Sequence, residues 1–325
     1  VLIPQAILRD VEGHLSSALS SMARDHVGRF YAASQGGTSV LMFSPDGTMV
    51  RSIGRRGTGP GEHLSIARVF ADAQGNLHTV DAQLSRHSVF SATGKFLRSV
   101  PITTDLSPTY DMVLTREGDL VRNSVFAPSA GRAYLLHAVS LAGQVVYRGD
   151  LSPFDRHSPW TLQRKLSTGA GGIVYAAHLV KYEIDVFRPN LTRSMKFTRA
   201  VDWFPAFRGA QRPSDGVLME RPVAKVSRIW EDTQGRLWVM VFVPSAKWRP
   251  MPRPTRPLRP GDEQILRPRY DIVIEVLDLP GRRMLVSQRF DGTLGVPFGD
   301  GFLAARSVQP NGEVHVSVSQ LTITP

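Results

Sequence analysis

The sequence predicts an all-β fold: one six-bladed β-propeller whose N-terminal strand supplies the outer strand of the last blade. Three observations lead there. A Gly-x-apolar pattern ending in an aromatic, His or Val recurs six times. Each early copy is followed by further alternating segments joined by Gly-containing turns, which makes a four-strand unit of roughly 40 to 50 residues. The last unit lacks a strand, and the chain begins with a strand-like segment that belongs to no unit.

The six copies are Gly28-Arg29-Phe30-Tyr31, Gly75-Asn76-Leu77-His78, Gly118-Asp119-Leu120-Val121, Gly172-Ile173-Val174-Tyr175, Gly235-Arg236-Leu237-Trp238 and Gly312-Glu313-Val314-His315. Each opens a short alternating strand. Asp25, Asp72 and Asp232 stand three residues before their glycines. Asp bonds the backbone of a tight turn and Gly takes the positive φ that ends it, so these acids are turn residues rather than catalytic ones.

A second alternating segment follows, as in Val40-Leu41-Met42-Phe43 before Asp46-Gly47 or Ser88-Val89-Phe90 before Gly94, and one more strand after that turn. With strands lettered a to d, the glycine marker lies between a and b. The blades then fall at roughly 18–53, 64–100, 109–149, 162–201, 223–291 and 302–325 plus 5–11, with a Pro/Arg-rich insertion at 244–268. In the last unit the segment after Gly312 reads as strand b and 321–324 as strand c. Pairing 7–11 with 321–324 would close the ring and remove an exposed edge.

Of the 325 residues, 42% are hydrophobic and 21% charged, ordinary proportions for a packed globular protein. No run of 18 apolar residues exists, so no helix of the chain spans a membrane. The chain starts with Val1 rather than Met, which points to a processed or trimmed N-terminus; the expected location is exported, periplasmic or extracellular. Without cysteine it has neither disulfides nor thiolate metal sites. The net charge of +11, mostly from Arg, favours anionic partners such as an acidic protein face or lipid headgroups.

The segment Gly54-Arg55-Arg56-Gly57-Thr58-Gly59-Pro60-Gly61-Glu62-His63 resembles the inter-blade linkers of NHL-type six-bladed propellers. So does the following unit, with Asp72-Ala73-Gln74-Gly75-Asn76-Leu77, Val80-Asp81 and Gly94-Lys95-Phe96-Leu97. The match covers the first two units; His63 replaces the aromatic usual after the Glu. The resemblance implies the fold, and propellers of this kind bind proteins, RNA, glycans or small molecules.

Strands alternate in direction, so the b–c and d–a connections leave the ring at one end. The longest connections (52–65, 150–161, 202–222 and 244–268) all belong to that end. Loops on a rigid scaffold carry binding, which makes this face the candidate partner-binding surface. The 244–268 segment presents Lys247, Trp248, Arg249, Arg253, Arg256 and Arg259 on a Pro-rich, extended chain. Trp203, Phe204 and Phe207 form an aromatic group that either anchors a partner or folds back to cap the ring. Arg55 and Arg56 add charge from the first linker.

No catalytic or metal-binding residue is assigned and no cofactor is expected. The glycines of 54–61 lack the Lys-Ser/Thr ending of a phosphate loop, no nucleophile elbow occurs, and His78 and His315 occupy packing positions. The leading expectation is a non-catalytic binding or scaffold subunit, with protein partners that include an integral membrane complex or an anionic surface; nucleic acid is disfavoured. The alternatives are a metal-dependent propeller hydrolase or lyase acting at the central channel, and NHL-like RNA binding.

Overall fold

The computed structural model describes residues 1–10, 14–15, 18–102, 109–129, 131–155, 158–205, 207, 221–250, 269–292 and 294–323. The chain begins with β1 (Leu2–Asp10) and then builds five sheets of consecutive antiparallel strands. Blade one holds β2 (Leu19–Arg24), β3 (Phe30–Ser34), β4 (Val40–Phe43) and β5 (Met49–Ile53). A short linker pair, β6 (Arg55–Arg56) and β7 (Glu62–His63), leads to blade two: β8 (Ile66–Ala71), β9 (Leu77–Asp81), β10 (Arg86–Phe90) and β11 (Phe96–Pro101). Blade three has β12 (Thr109–Leu114), β13 (Leu120–Ser129), β14 (Arg132–Val139) and β15 (Val145–Arg148), with β16 (Leu151–Pro153) also pairing β14. Blade four has β17 (Arg164–Thr168), β18 (Val174–His178), β19 (Glu183–Phe187) and β20 (Arg193–Thr198). Blade five has β21 (Lys225–Glu231), β22 (Leu237–Pro244), β23 (Tyr270–Asp278) and β24 (Arg283–Phe290). Blade six combines β25 (Val296–Phe298), β26 (Phe302–Val308) and β27 (Val314–Leu321) with β1 in the order β1-β27-β26-β25.

The strand sequences follow from where each strand sits. The b and c strands lie between neighbouring blades and are buried on both faces. They therefore read as nearly unbroken apolar runs, such as Leu237-Trp238-Val239-Met240-Val241 and Ile272-Val273-Ile274. Each fully buried Leu, Val or Ile side chain contributes about 1.5–3 kcal/mol relative to exposure. The d strands β5, β15 and β24 form the rim and are mostly exposed.

The glycine marker has a physical basis beyond its turn. Gly28, Gly75 and Gly235 all adopt positive φ (+92°, +77° and +74°) and donate to the carbonyls of Asp25, Asp72 and Asp232. Six residues after each Asp, a buried polar ring reaches back to its carboxylate. The Tyr31 hydroxyl lies 3.1 Å from Asp25, His78 Nε2 3.1 Å from Asp72, and the Trp238 indole N–H 2.8 Å from Asp232. The acid thus ties the turn and satisfies a polar group that would otherwise be buried without a partner. His78 also contacts His87 (2.9 Å) inside blade two, so its packing position is also a hydrogen-bonded one.

Blade six differs from the sequence expectation. Gly312 lies between strands b and c (β26 and β27), not between a and b. The blade begins at Val296 rather than 302, and its a–b turn runs through Gly299 and Gly301. Gln309-Pro310-Asn311-Gly312 is a tight hairpin turn like the others, and the marker reports a turn entering a strand without saying which strand. His315 consequently sits on strand c. The register of β1 on β27 runs from Leu2↔Leu321 to Asp10↔Val314, so Ile7 faces Ser317 and not the 321–324 segment. Blade one closes on this edge: a Cβ at Gly47 (φ +93°) would come within 2.3 Å of the Ile7 carbonyl oxygen.

Side chains also join the blades. Asp111 on β12 accepts the Leu166 N–H of β17 at 3.0 Å, and the Ser21 hydroxyl of β2 accepts the Val69 N–H of β8 at 3.1 Å. Between blades four and five, wholly buried Glu275 accepts from the Tyr182 hydroxyl, the Arg199 guanidinium and the Ser287 hydroxyl.

Candidate functional site

Two regions combine space with polar groups. The first lies on the face where the b–c and d–a connections emerge. A cleft of about 490 Å³ there is lined by Trp203, Pro205, Phe207, Pro222, Val243 and Ala246, with Arg221 and Arg289 also bordering it. Val201 turns into Phe204 through a backbone hydrogen bond, and Phe204 is driven into the core. There it packs edge-on against Tyr182 (5.7 Å) and stacks with Trp203 (6.1 Å). Phe204 is therefore a capping residue, whereas half-buried Trp203 and Phe207 present surface to the cleft. Phe207 also meets Trp160 of the preceding blade's connection edge-on at 6.4 Å, which places two d–a loops side by side.

The charged residues expected here are only partly brought together. Lys247 and Arg249 are exposed beside the cleft; Lys247 pairs with Asp291, and the Arg249 guanidinium donates to the Trp248 carbonyl. Trp248 is half-buried, its N–H held by the Ser245 carbonyl. Arg253, Arg256 and Arg259 lie outside the described residues. Arg55 and Arg56 are exposed in the linker between blades one and two, away from this cleft, and Arg55 pairs with Glu62 at 2.8 Å. Glu62 also accepts the Gly59 N–H, and both bonds lower its carboxyl pKa.

The second region is the central channel, whose lining residues the sequence reading did not identify. The inner strands surround an axial channel of about 480 Å³ into which Arg24, Arg68, Asp111, Lys165, Arg228 and Asp300 project. Asp111 is buried and engaged by the Leu166 N–H and by Arg68 at 3.5 Å. Lys165 and Arg228 meet solvent only in part, and desolvation by the surrounding blades pulls both pKa values down. Asp300 is pushed up by the same cause despite the opposing pull of Arg228 and Arg24. Arg24 lies over the Phe302 ring at 5.0 Å. Among the described residues, no group of three or more His, Asp or Glu is placed to hold a metal ion.

Comparison with known proteins bears on the scaffold. The DUF5128 family model, described as a 6-bladed beta-propeller, matches residues 21–126. The chain shares its fold with six-bladed β-propeller proteins. A member of the duf4221 family from Bacteroides vulgatus aligns with a TM-score of 0.61 at 11% identity, covering 98% of each chain. A Bacteroides fragilis protein whose name marks it as exported aligns at 0.59 and 12% identity, covering 99% of this chain and 95% of its own. Virginiamycin B lyase from Staphylococcus aureus aligns at 0.51 and 8% identity, covering 97% and 99%. No curated protein matches the sequence. At such identities the likeness is one of fold, and function rests on the sites themselves.

Proposed function

We propose that this propeller is a non-catalytic binding subunit of an exported, membrane-associated assembly, docking through its loop-rich basic face onto an acidic protein surface. The observation that carries the reading is the cleft lined by Trp203, Phe207, Arg221 and Arg289, with Lys247 and Arg249 exposed on the chain just past its lining residue Ala246. Aromatic anchors within a cationic rim are the composition of a protein-binding hot spot, where the rings supply affinity and the charges steer the encounter. The NHL-like linker with Arg55 and Arg56 extends the same face. The name of the Bacteroides fragilis neighbour, which marks it as exported, supports the compartment.

The test is co-purification from the native source with a charge-reversed pair, Lys247→Glu with Arg249→Glu. Both residues are exposed, so the melting temperature should stay within about 2 °C, while partner recovery should fall severalfold. Recovery equal to wild type, with the fold intact, would remove this face from consideration.

A further inference from the structure

The channel residues obey a rule that runs through the sequence. Seven positions before the marker glycine of units one to five stand Ser21, Arg68, Asp111, Lys165 and Arg228. Each pairs across its sheet with the residue five positions after that glycine: Ala33, Val80, Asn123, Ala177 and Met240. All five line the channel, so they form one ring around the axis. In four of the five blades the register slips just before this residue, between Leu19 and Ser21, Ile66 and Arg68, Thr109 and Asp111, and Val226 and Arg228. A bulge bends its strand and re-aims the side chain that follows, and such irregularities gather beside functional sites. Four repetitions at one structural level are a construction rule.

The charges at this level are unbalanced. Arg68 is matched by Asp111, whose second oxygen is already taken by the Leu166 N–H. Lys165 and Arg228 have no hydrogen-bonding or ion-pair partner among the described residues, and Arg228 Nε is buried without an acceptor. Asp111 attracts both and Asp300 attracts Arg228, while Arg68 repels both and Arg228 repels Lys165. Two partly desolvated cations on adjacent blades, with no hydrogen bond or ion pair among the described residues, are destabilising unless an anion completes the site. Ser21, Ser227 and Thr168 also line the channel, and their hydroxyls offer donors to further oxygens of a bound molecule.

We infer that the axial channel is a binding site for a small organic anion, whose carboxylate or phosphate group is held between Lys165 and Arg228. This site is separate from the docking face and stands or falls independently of it.

The experiment uses the full chain, titrated by calorimetry and thermal melting with citrate and, separately, with inorganic phosphate, at constant ionic strength. Wild type should bind at least one of them saturably, one per chain, with a rise in melting temperature. Response to phosphate alone identifies a phosphate-bearing ligand; response to citrate alone identifies a carboxylate. Lys165→Met and Arg228→Met should each weaken binding by about tenfold or more. Without ligand, both variants should melt at or above the wild-type temperature, because each removes an unmatched charge. The Lys247→Glu/Arg249→Glu pair should bind as wild type does. Absence of saturable binding of either anion up to about 10 mM, binding unchanged in both Met variants, or a lower ligand-free melting temperature in both would overturn the inference.

Discussion

The seam between blades four and five and the axial channel both enclose charge, and they treat it in opposite ways. At the seam, the Glu275 carboxylate is wholly buried and fully engaged by Tyr182, Arg199 and Ser287. In the channel, Lys165 and Arg228 are desolvated and, among the described residues, make no hydrogen bond or ion pair, although Asp111 attracts both; Arg228 Nε is buried without an acceptor. One chain can evidently satisfy a buried charge where two blades must be locked together. Its failure to do so on the axis therefore marks a place where stability was not the selected property, since breaking a buried pair is strongly destabilising while an unmatched cation is a liability by itself.

The comparison can be broken most directly at the seam. Glu275→Ala should lower stability by about 3 kcal/mol or more in chemical denaturation, because it removes the buried carboxylate that accepts from the Tyr182 hydroxyl and balances the Arg199 charge. A loss below about 1 kcal/mol would show the seam to be no better satisfied than a surface pair.

Acid sharpens it next. Burial lowers the pKa of His87 to about 3, of His137 to about 4 and of His178 to about 2. Their unfolded value is near 6.5, so the stability they contribute is complete above that pH and declines as pH falls below it toward the folded values. Each should forfeit on the order of 2 kcal/mol by pH 5. The melting temperature should accordingly be flat from pH 8 to 7 and drop steeply below 6.5; a flat profile down to pH 5 would contradict neutral buried histidines.

A smaller effect is expected at the closing edge. Gly47→Ala forces a Cβ into the Ile7 carbonyl at a positive φ and should cost about 1–3 kcal/mol. Unchanged thermal stability would mean that blade one and β1 can separate freely.

Much of this architecture was legible. The marker glycines reported turns that do take positive φ, and the apolar runs reported strands buried on both faces. The marker could not tell one hairpin from another, so Gly312 shifted the sixth blade by a strand. The aromatic group at 203–207 was visible as composition, but only packing against Tyr182 separates Phe204, which caps, from Phe207, which faces the cleft. The ring at minus seven was present in the sequence and passed unread. A charge in an alternating strand normally marks the solvent side, and only closure of the sheets around an axis turns that side inward.

The pairing of β1 with β27 has a consequence for how the molecule assembles. Val1 and Thr322 exchange backbone hydrogen bonds across 321 positions, so within these residues the first segment synthesised must wait, edge unprotected, for the last. Contacts of such separation slow folding. Joining the two ends by a short linker and opening the chain at the β19–β20 hairpin turn, residues 188–192, would make that step a local hairpin, and the rearranged ring should refold faster than the natural order of its blades.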